Sequence, residues 1–268
     1  MTSLAELNSD FERRWPLQTA ESWDQPGLML GKRNAEISRV LLSVDFTSDV
    51  LSEAVEVGAQ LVVCHHPPFL KGVHELSEEG AKGNLVAEAN RKSVAVYAAH
   101  TNADGAKEGV TDSLAKVFGL RNAIPFDGSS SLGRVGELNQ AVTLLEFARE
   151  IARRLPATAS GVRVAGPAES LVKRVAILGG AGDSYLSTVR ALDVDVYITS
   201  DLRHHPAQDF IEQSKLEGWR PALIDISHWA AEWIWLDGLA ASLSEAFPEV
   251  SFTVSEVRTD PWDFAVMQ

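Results

Sequence analysis

Short runs of apolar residues alternate along this chain with longer segments in which apolar residues recur every three or four positions. Runs such as Arg39–Asp45 (RVLLSVD) and Leu61–Cys64 (LVVC) predict buried strands, whereas the longer periodic segments predict amphipathic helices. The first helix is predicted over residues 3–15, since Ser3 and Glu6 have the spacing of a capping box. The alternation of strands with helices predicts an α/β fold with mainly parallel or mixed sheets.

The same patterns predict the elements of the rest of the chain. Further strands are predicted at 94–99, 174–178, 194–199, 222–226 and 251–257, and further helices at 49–57, 85–91, 110–118, 143–155, 185–192, 207–216 and 230–247. Turn-forming residues predict a loop over 22–31, and the Gly- and Ser-rich stretch 123–136 predicts a linker.

A pattern from the first half of the chain recurs in the second half. The corresponding segments are Val40–Asp45 with Leu61–Pro67, and Val175–Gly180 with Val196–Pro206. Each half is a strand–helix–strand unit that ends near His-His-Pro, which favours two similar lobes, although two unrelated units would give the same pattern. We predict a first lobe of residues 1–125 together with 220–268, and a second lobe of residues 126–219.

The composition narrows the class of protein. Residues are 45% hydrophobic and 23% charged, which is typical of a globular chain. The single cysteine, Cys64, excludes an internal disulfide, and neither a signal peptide nor an apolar run of roughly 20 residues is found, so we expect a cytoplasmic protein without a membrane span. The formal net charge of -13 disfavours non-specific nucleic-acid binding and suits divalent cations.

Residue types that commonly serve as metal ligands follow three of the predicted strands. The clusters are His65 with His66, His100 with Asp104, and His228 with Glu232. In parallel α/β folds ligands gather at the carboxyl ends of strands, and imidazole and carboxylate groups bind transition metals. Each cluster has a structural alternative: a buried histidine beside an exposed one, an Asx turn, or a surface pair on a helix. Three clusters at three strand ends favour metal binding.

Two further segments after strands have less specific patterns. Asp201, His204 and His205 follow the strand at 194–199, where we expect substrate contact or the orientation of a ligand rather than ligation, and an exposed loop is an equal alternative. The turn Gly179–Gly182 would expose backbone N–H groups to phosphate or would be a tight turn without a ligand. It has neither the dinucleotide-binding fingerprint nor a Walker sequence.

Taken in order, the motifs of the chain resemble the NIF-three-like family, also described as GTP cyclohydrolase I type 2 homologs. The matching segments are Ala20–Gly31 (AESWDQPGLMLG), Cys64–Gly72 (CHHPPFLKG), Tyr97–Ala106 (YAAHTNADGA), Gly133–Leu138 (GRVGEL), Val175–Ser184 (VAILGGAGDS), Val196–His205 (VYITSDLRHH) and Asp225–Glu232 (DISHWAAE). They extend over nearly the whole chain and are specific as a set. Arg203 and His204 depart from the Lys-Tyr that relatives tend to have, which puts substrate contacts there in doubt.

The resemblance implies two α/β lobes around a central cleft that holds a dinuclear metal centre. The ligands implied are His65, His66, Asp104, His228 and Glu232. It also implies that the chain assembles with itself into a toroidal homohexamer, a trimer of dimers. Some relatives carry an inserted domain, whereas the about 35 residues between Leu138 and Lys173 indicate the short form without one.

Two functions follow from these patterns. The first is a hydrolase dependent on two divalent ions of Zn, Mn, Fe or Ni, acting on GTP or another nucleotide, a related heterocycle or a phosphoester. His100 or His205 would move protons in this reaction. The alternative is a metal-binding scaffold or regulatory protein without catalysis. Assays of nucleotides and phosphoesters with added Mn²⁺ or Zn²⁺ discriminate between the two.

Overall fold

The computed structural model describes residues 2–126 and 132–266. The strands are β1 (Thr2–Ser3), β2 (Gly27–Leu30), β3 (Glu36–Ile37), β4 (Arg39–Ser43), β5 (Leu61–Cys64), β6 (Ala95–Ala98), β7 (Arg121–Pro125), β8 (Arg134–Thr143), β9 (Arg163–Ala165), β10 (Leu171–Ala181), β11 (Val196–Ser200), β12 (Ala222–Ile226) and β13 (Ser251–Val254). The helices are α1 (Leu4–Arg14), α2 (Ser48–Glu56), α3 (Ala81–Arg91), α4 (Thr101–Asp104), α5 (Val110–Val117), α6 (Leu144–Arg154), α7 (Leu186–Arg190), α8 (His204–Leu216) and α9 (His228–Ala246), with two 3₁₀ turns at Leu17–Thr19 and Asp183–Tyr185.

The described chain divides into two compact units, and each unit has its own main sheet. The first unit runs to Ala103 and includes Leu236–Thr259, and the second comprises Asp104–Trp235 and the residues after Thr259. Residues 104–125 and 220–268 are predicted to belong to the first lobe. In the structure residues 104–125, 220–235 and 260–266 belong to the second unit instead. The strands β7 and β12 pair within the second sheet, which explains the first two of these segments.

The first unit is built on a five-stranded sheet in the order β13-β4-β5-β6-β2. The first four strands are parallel, and β2 is antiparallel to β6 at one edge. The interior strands β5 and β6 are buried along their whole length, as their continuous apolar runs require. Val50 of α2 and Ala89 of α3 pack on one face, and on the other the ring of Phe11 from α1 lies 4.8 Å from that of Tyr97.

The register of this sheet places the ends of three parallel strands side by side. Cys64 at the end of β5 pairs with Ser43 of β4 on one side and with Ala98 of β6 on the other. The polar residues that follow these strands therefore leave the sheet at the same edge, which is where α/β folds bind ligands.

The second unit contains a six-stranded sheet in the order β7-β8-β10-β11-β12-β9. The three strands β10, β11 and β12 are parallel, and the outer strands pair antiparallel. Leu114 of α5 and Phe147 of α6 belong to one hydrophobic core of this unit, and Leu186 of α7 and Phe210 of α8 belong to another. The parallel strands β10, β11 and β12 end at Ala181, Ser200 and Ile226.

The α/β class and the mixed sheets predicted from the sequence are confirmed, and the differences concern edge strands. The predicted loop 22–31 contains β2, and the predicted linker 123–136 includes residues of β7 and β8, which pair antiparallel. Residues 127–131 of that linker lie outside the described residues. The edge strand β7 is mostly exposed, so it lacks the apolar run by which buried strands are recognised.

The longest helix in the described ranges is α9, with 19 residues. Trp235, Leu239 and Leu243 are among its buried side chains. Neither α9 nor any other helix in the described part of the chain combines the length and the apolar character needed to cross a membrane.

Candidate metal centre

His65 and His66 follow β5 in a bend that brings their rings together. Successive side chains of a regular strand point to opposite faces. Here the backbone departs from the strand pattern, because two successive N–H groups point to the same neighbouring chain segment. The N–H of His65 donates to the carbonyl of Ser43 at 3.1 Å, and the N–H of His66 donates to the carbonyl of Val44 at 2.8 Å. The ring centroids consequently lie 4.9 Å apart. His65 is fully buried and His66 is partly exposed.

A hydrogen bond at Nδ1 fixes the orientation of each of these two rings. Nδ1 of His65 donates to the carbonyl oxygen of Ala99 at 2.7 Å, and Nδ1 of His66 donates to a carboxylate oxygen of Asp45 at 2.8 Å. Because both acceptors lack a proton to donate, each neutral ring carries its proton on Nδ1 and its lone pair on Nε2. This is the arrangement that orients histidines for metal ligation through Nε2.

His100 completes a cluster that we call the histidine triad, defined as His65, His66 and His100. Its ring centroid lies 5.2 Å from that of His65 and 5.5 Å from that of His66. One ligand atom from each residue lies within 4.8 Å of the others, so the triad could hold a metal ion. The Nδ1 of His100 lies 3.0 Å from a carboxylate oxygen of Asp24, so a negative charge faces this ring.

The segment after His100 is fixed by buried hydrogen bonds. The carboxylate of Asp24 accepts from the backbone N–H of Thr101 at 3.1 Å and from its hydroxyl at 2.6 Å, which anchors the start of α4. Asn102 donates to the carbonyl of Trp15 at 2.8 Å. Asp104 is the last residue of α4, is buried and belongs to the second unit. It is not a member of the histidine triad.

In the second unit, His228 and Glu232 lie one helical turn apart at the start of α9. The Nε2 of His228 is 2.8 Å from a carboxylate oxygen of Glu232, and its Nδ1 is 2.8 Å from a carboxylate oxygen of Asp201. Asp201 follows β11 with a φ of 55°, a left-handed conformation that is uncommon for a residue other than glycine. The structure therefore brings together the His-Glu pair predicted as ligands and adds Asp201 as the residue that orients His228.

The charges of the second cluster stabilise a protonated His228. Burial of this ring opposes protonation, but the negative charge of Glu232 and the hydrogen bonds to Asp201 and Glu232 outweigh it, so the pKa of His228 lies well above its ordinary value. The hydrogen bond from His228 also lowers the pKa of Asp201. The negative charges of Asp201 and Glu232, which stabilise the protonated ring, would also attract a divalent cation.

Gly180 lies against His228 and Glu232, and its lack of a side chain keeps the space beside them free. A Cβ atom at this position would lie 2.9 Å from the carboxylate of Glu232 and 3.5 Å from Nε2 of His228, and the φ of 77° also favours glycine. The hydroxyl of Thr199 donates to the carbonyl of Gly180 at 3.0 Å, and the N–H of Gly179 donates to the hydroxyl of Thr111 at 3.3 Å. Gly180 thus packs on the His-Glu pair, and Gly179–Ala181 form the end of β10, where its register with β11 shifts, rather than a turn.

The polar residues at the start of α8 form a separate set of contacts. His204 and His205 are exposed, and their ring centroids are 5.1 Å from each other. Arg203 forms an ion pair with Asp183. Within the described part of the second unit, no hydrogen bond, ion pair or ring contact joins His205 to His228 or Glu232. The role of His205 in proton transfer stays a prediction.

Sequence reasoning missed two carboxylates, Asp45 and Asp24. Asp45 follows β4, the parallel neighbour of β5, so its position at a strand end next to His66 was a signal that could have found it. Asp24 lies in a loop far from His100 in the sequence, and its contact with that ring depends on the tertiary fold. Asp45 also accepts a hydrogen bond from Thr259, which fixes the carboxylate that holds His66.

The donor set of these groups fits a divalent transition metal. Imidazole nitrogens with carboxylate oxygens suit Zn, Mn, Fe and Ni alike, so the ligand types alone leave the metal open. Two observations support the fit: the triad has oriented imidazoles whose ligand atoms converge, and the space beside Glu232 is kept clear by Gly180. Groups that could hold a metal ion are therefore present in the chain.

Comparison with known proteins matches the chain to one family over almost its whole length. The family model described as Duf34/NIF3 (NGG1p interacting factor 3) matches residues 2–261. A Streptomyces coelicolor protein named GTP cyclohydrolase 1 type 2 homolog is 41% identical over 98% of this chain and 94% of its own length. A Clostridium perfringens protein of the same name is 31% identical over 93% of this chain and 94% of its own.

Solved structures show the same fold. A hypothetical protein from Staphylococcus aureus has a TM-score of 0.88 and 29% identity, covering 98% of this chain and 99% of its own. A Bacillus cereus protein related to NIF3 has a TM-score of 0.89 and 23% identity, covering 99% of both chains. The fold of the chain is therefore shared with both proteins.

Proposed function

This chain belongs to the Duf34/NIF3 family, and from that membership we propose that it is a hydrolase that depends on divalent metal ions. The resemblance found in the sequence motifs is thereby confirmed. The observation that carries the proposal is the histidine triad, in which His65 and His66 present oriented ligand atoms to a metal ion and His100 lies beside them, with one nitrogen of each ring within 4.8 Å of the others. The relatives are named GTP cyclohydrolase 1 type 2 homolog, which supports a nucleotide or a related heterocycle as the substrate, and a phosphoester would suit the same metal chemistry.

The proposed ligands are the five residues implied by the resemblance, with two divalent ions per chain. They are His65, His66, Asp104, His228 and Glu232. Five protein ligands for two ions leave coordination positions for water and substrate, as a catalytic site requires and a purely structural site does not. A divalent ion in such a site lowers the pKa of a bound water toward roughly 7 and polarises a substrate oxygen.

We assign proton transfer to His100 in preference to His205. The Nδ1 of His100 is 3.0 Å from the buried carboxylate of Asp24, so this carboxylate can stabilise the imidazolium that forms when Nε2 accepts a proton. Burial opposes ionisation of Asp24, but hydrogen bonds from His100 and Thr101 outweigh it and lower the pKa of this carboxyl, so it is charged at neutral pH. His205 has no comparable partner among the described residues.

Turnover of a substrate panel by metal-loaded protein tests the proposal. Nucleotides and simple phosphoesters are assayed with and without added Mn²⁺ or Zn²⁺, and products such as formate and inorganic phosphate are measured. The hydrolase proposal expects metal-dependent turnover of at least one compound. Loaded protein that turns over none of them would favour the alternative, a metal-binding scaffold or regulatory protein.

The variant His100→Gln separates proton transfer from metal binding. We expect kcat to fall about 10²- to 10⁴-fold, the usual contribution of a positioned acid or base, while the bound metal and KM stay unchanged. The matched control is His74→Gln, because His74 is an exposed histidine of the same unit. An unchanged kcat in His100→Gln would remove His100 from the mechanism.

A further inference from the structure

An exposed tryptophan lies beside the histidine triad. Trp23 is 58% exposed, and in the described part of the chain only one other tryptophan, Trp262, is more than half exposed. The ring of Trp23 meets that of His100 edge to face, with centroids 5.8 Å apart and an interplanar angle of 77°. Large exposed aromatic side chains at such positions are typical of binding sites, because exposure of their apolar surface to water is unfavourable.

The loop that carries Trp23 is held firmly by its neighbours. Asp24 is buried and is bonded to Thr101 and His100. The N–H of Asp24 donates to the carbonyl of Glu21 at 2.9 Å, and the N–H of Glu21 donates to the hydroxyl of Thr101 at 3.0 Å. The indole is therefore presented to solvent from a fixed position, so little conformational entropy is lost when a ligand packs on it.

We propose that Trp23 is a substrate-binding residue that stacks on a planar aromatic ring of the substrate. An indole also binds cations, but a cation here would approach the site of a divalent ion, and the like charges would repel each other. A neutral or anionic planar ring lacks this penalty and gains stacking energy. The inference rests on the proposed function, because it names the substrate class of the same site.

Binding of two matched probes tests the role of the ring. Adenosine 5′-monophosphate and ribose 5-phosphate share the sugar phosphate, and only the first has a planar base. In Mn²⁺-loaded protein, titration calorimetry is expected to show that the nucleotide binds about five- to 150-fold more tightly, the range that base–aromatic stacking provides. In Trp23→Ala this advantage is lost, while the affinity for ribose 5-phosphate and the bound metal stay unchanged.

Two further variants make the result specific. Trp23→Phe is expected to retain most of the advantage, since a smaller ring still stacks. Trp262→Ala removes the other exposed tryptophan and is expected to behave as the wild type. The proposal is overturned if the wild type binds both probes equally, if Trp23→Ala keeps the advantage, or if this variant weakens both probes to the same degree, which would mean that Trp23 only supports His100.

These outcomes are separate from those of the hydrolysis assays. A ring-dependent advantage without turnover of any compound would keep Trp23 as a binding residue and remove the hydrolase. Turnover without a ring-dependent advantage would keep the hydrolase and remove the stacking role of Trp23.

Discussion

At the scale of single residues, hydrogen bonds from imidazole Nδ1 atoms to oxygen atoms determine what the candidate ligands can do. Two acidic side chains accept such bonds, Asp45 from His66 and Asp201 from His228, and the carboxylate of Asp24 lies 3.0 Å from the Nδ1 of His100. The sequence indicated the histidines because they follow apolar runs. It did not indicate which carboxylate orients which ring, because that depends on strand register and on loops distant in the sequence.

Replacement of Asp45 is expected to weaken metal binding. In Asp45→Ala the Nδ1 of His66 loses its acceptor, and loss of such an orienting partner usually costs about 10- to 100-fold in metal affinity. Competition with a chromophoric chelator measures this affinity. Asp49→Asn is the control, since Asp49 is an exposed acid of the same unit. Equal affinities in wild type and Asp45→Ala would show that the carboxylate has no orienting role.

Gly180 and Gly218 form a matched pair for testing the space beside Glu232. Both have a φ of 77°, but a Cβ at Gly180 would lie 2.9 Å from the carboxylate of Glu232, whereas at Gly218 nothing lies within 4 Å. Both alanine variants should lose about 1 kcal/mol or more of unfolding free energy from backbone strain. Only Gly180→Ala should also lose metal affinity. A similar affinity in both variants would contradict the steric role of Gly180.

At the scale of elements, local signals predicted the interior of the sheets better than the edges. The strands Leu61–Cys64 and Ala222–Ile226 have the bounds predicted from their apolar runs, because strands buried on both faces need continuous apolar sequence. The edge strands β2, β7 and β9 were not predicted. An edge strand is paired on one side and partly exposed, so its sequence resembles that of a loop.

The capping box of α6 is expected to stabilise the second unit. The hydroxyl of Thr143 accepts from the N–H of Glu146 at 3.2 Å, and α6 buries Leu144 and Phe147 in a core. Thr143→Ala should lower the unfolding free energy by about 1 kcal/mol, and Thr143→Ser should retain it because the hydroxyl is kept. Urea denaturation measures the difference. Equal midpoints for the alanine variant and the wild type would contradict the role of the cap.

The stabilisation by this cap depends on pH in a defined direction. Hydrogen bonds from the backbone and side chain of Thr143 lower the pKa of Glu146. A carboxyl whose pKa is lower in the folded than in the unfolded protein stabilises the fold above its unfolded pKa, and this stabilisation is lost as the pH falls through the folded value. The difference between Thr143→Ala and wild type should therefore shrink in acid.

At the scale of the whole molecule, the division into two units follows from strand pairing. β7 and β12 are about 100 residues apart in the chain, yet both pair within the second sheet. The linker prediction for residues 123–136 is based on glycine and serine content, and the composition of a segment does not specify which strand it pairs with. The recurrence of a strand–helix–strand pattern indicated two units but not where the chain passes between them.

Assembly into a homohexamer is the prediction at this scale. The resemblance to the family is its basis, and the chain mass of 29.1 kDa sets the expected value. Light scattering coupled to size-exclusion chromatography should give six times the chain mass over a range of protein concentrations. The mass of a single chain or of a dimer at micromolar concentration would contradict the predicted trimer of dimers.

Elemental analysis of untagged protein, purified without chelators, tests the central claim that the clusters bind metal. We expect about two equivalents of a transition metal per chain, reduced in His65→Ala and in His228→Ala while circular dichroism shows the fold retained. His74→Ala, which changes an exposed histidine, should keep the full content. Wild-type protein that contains no metal and takes up neither Zn²⁺ nor Mn²⁺ would contradict the claim, and the proposed hydrolase would be excluded with it.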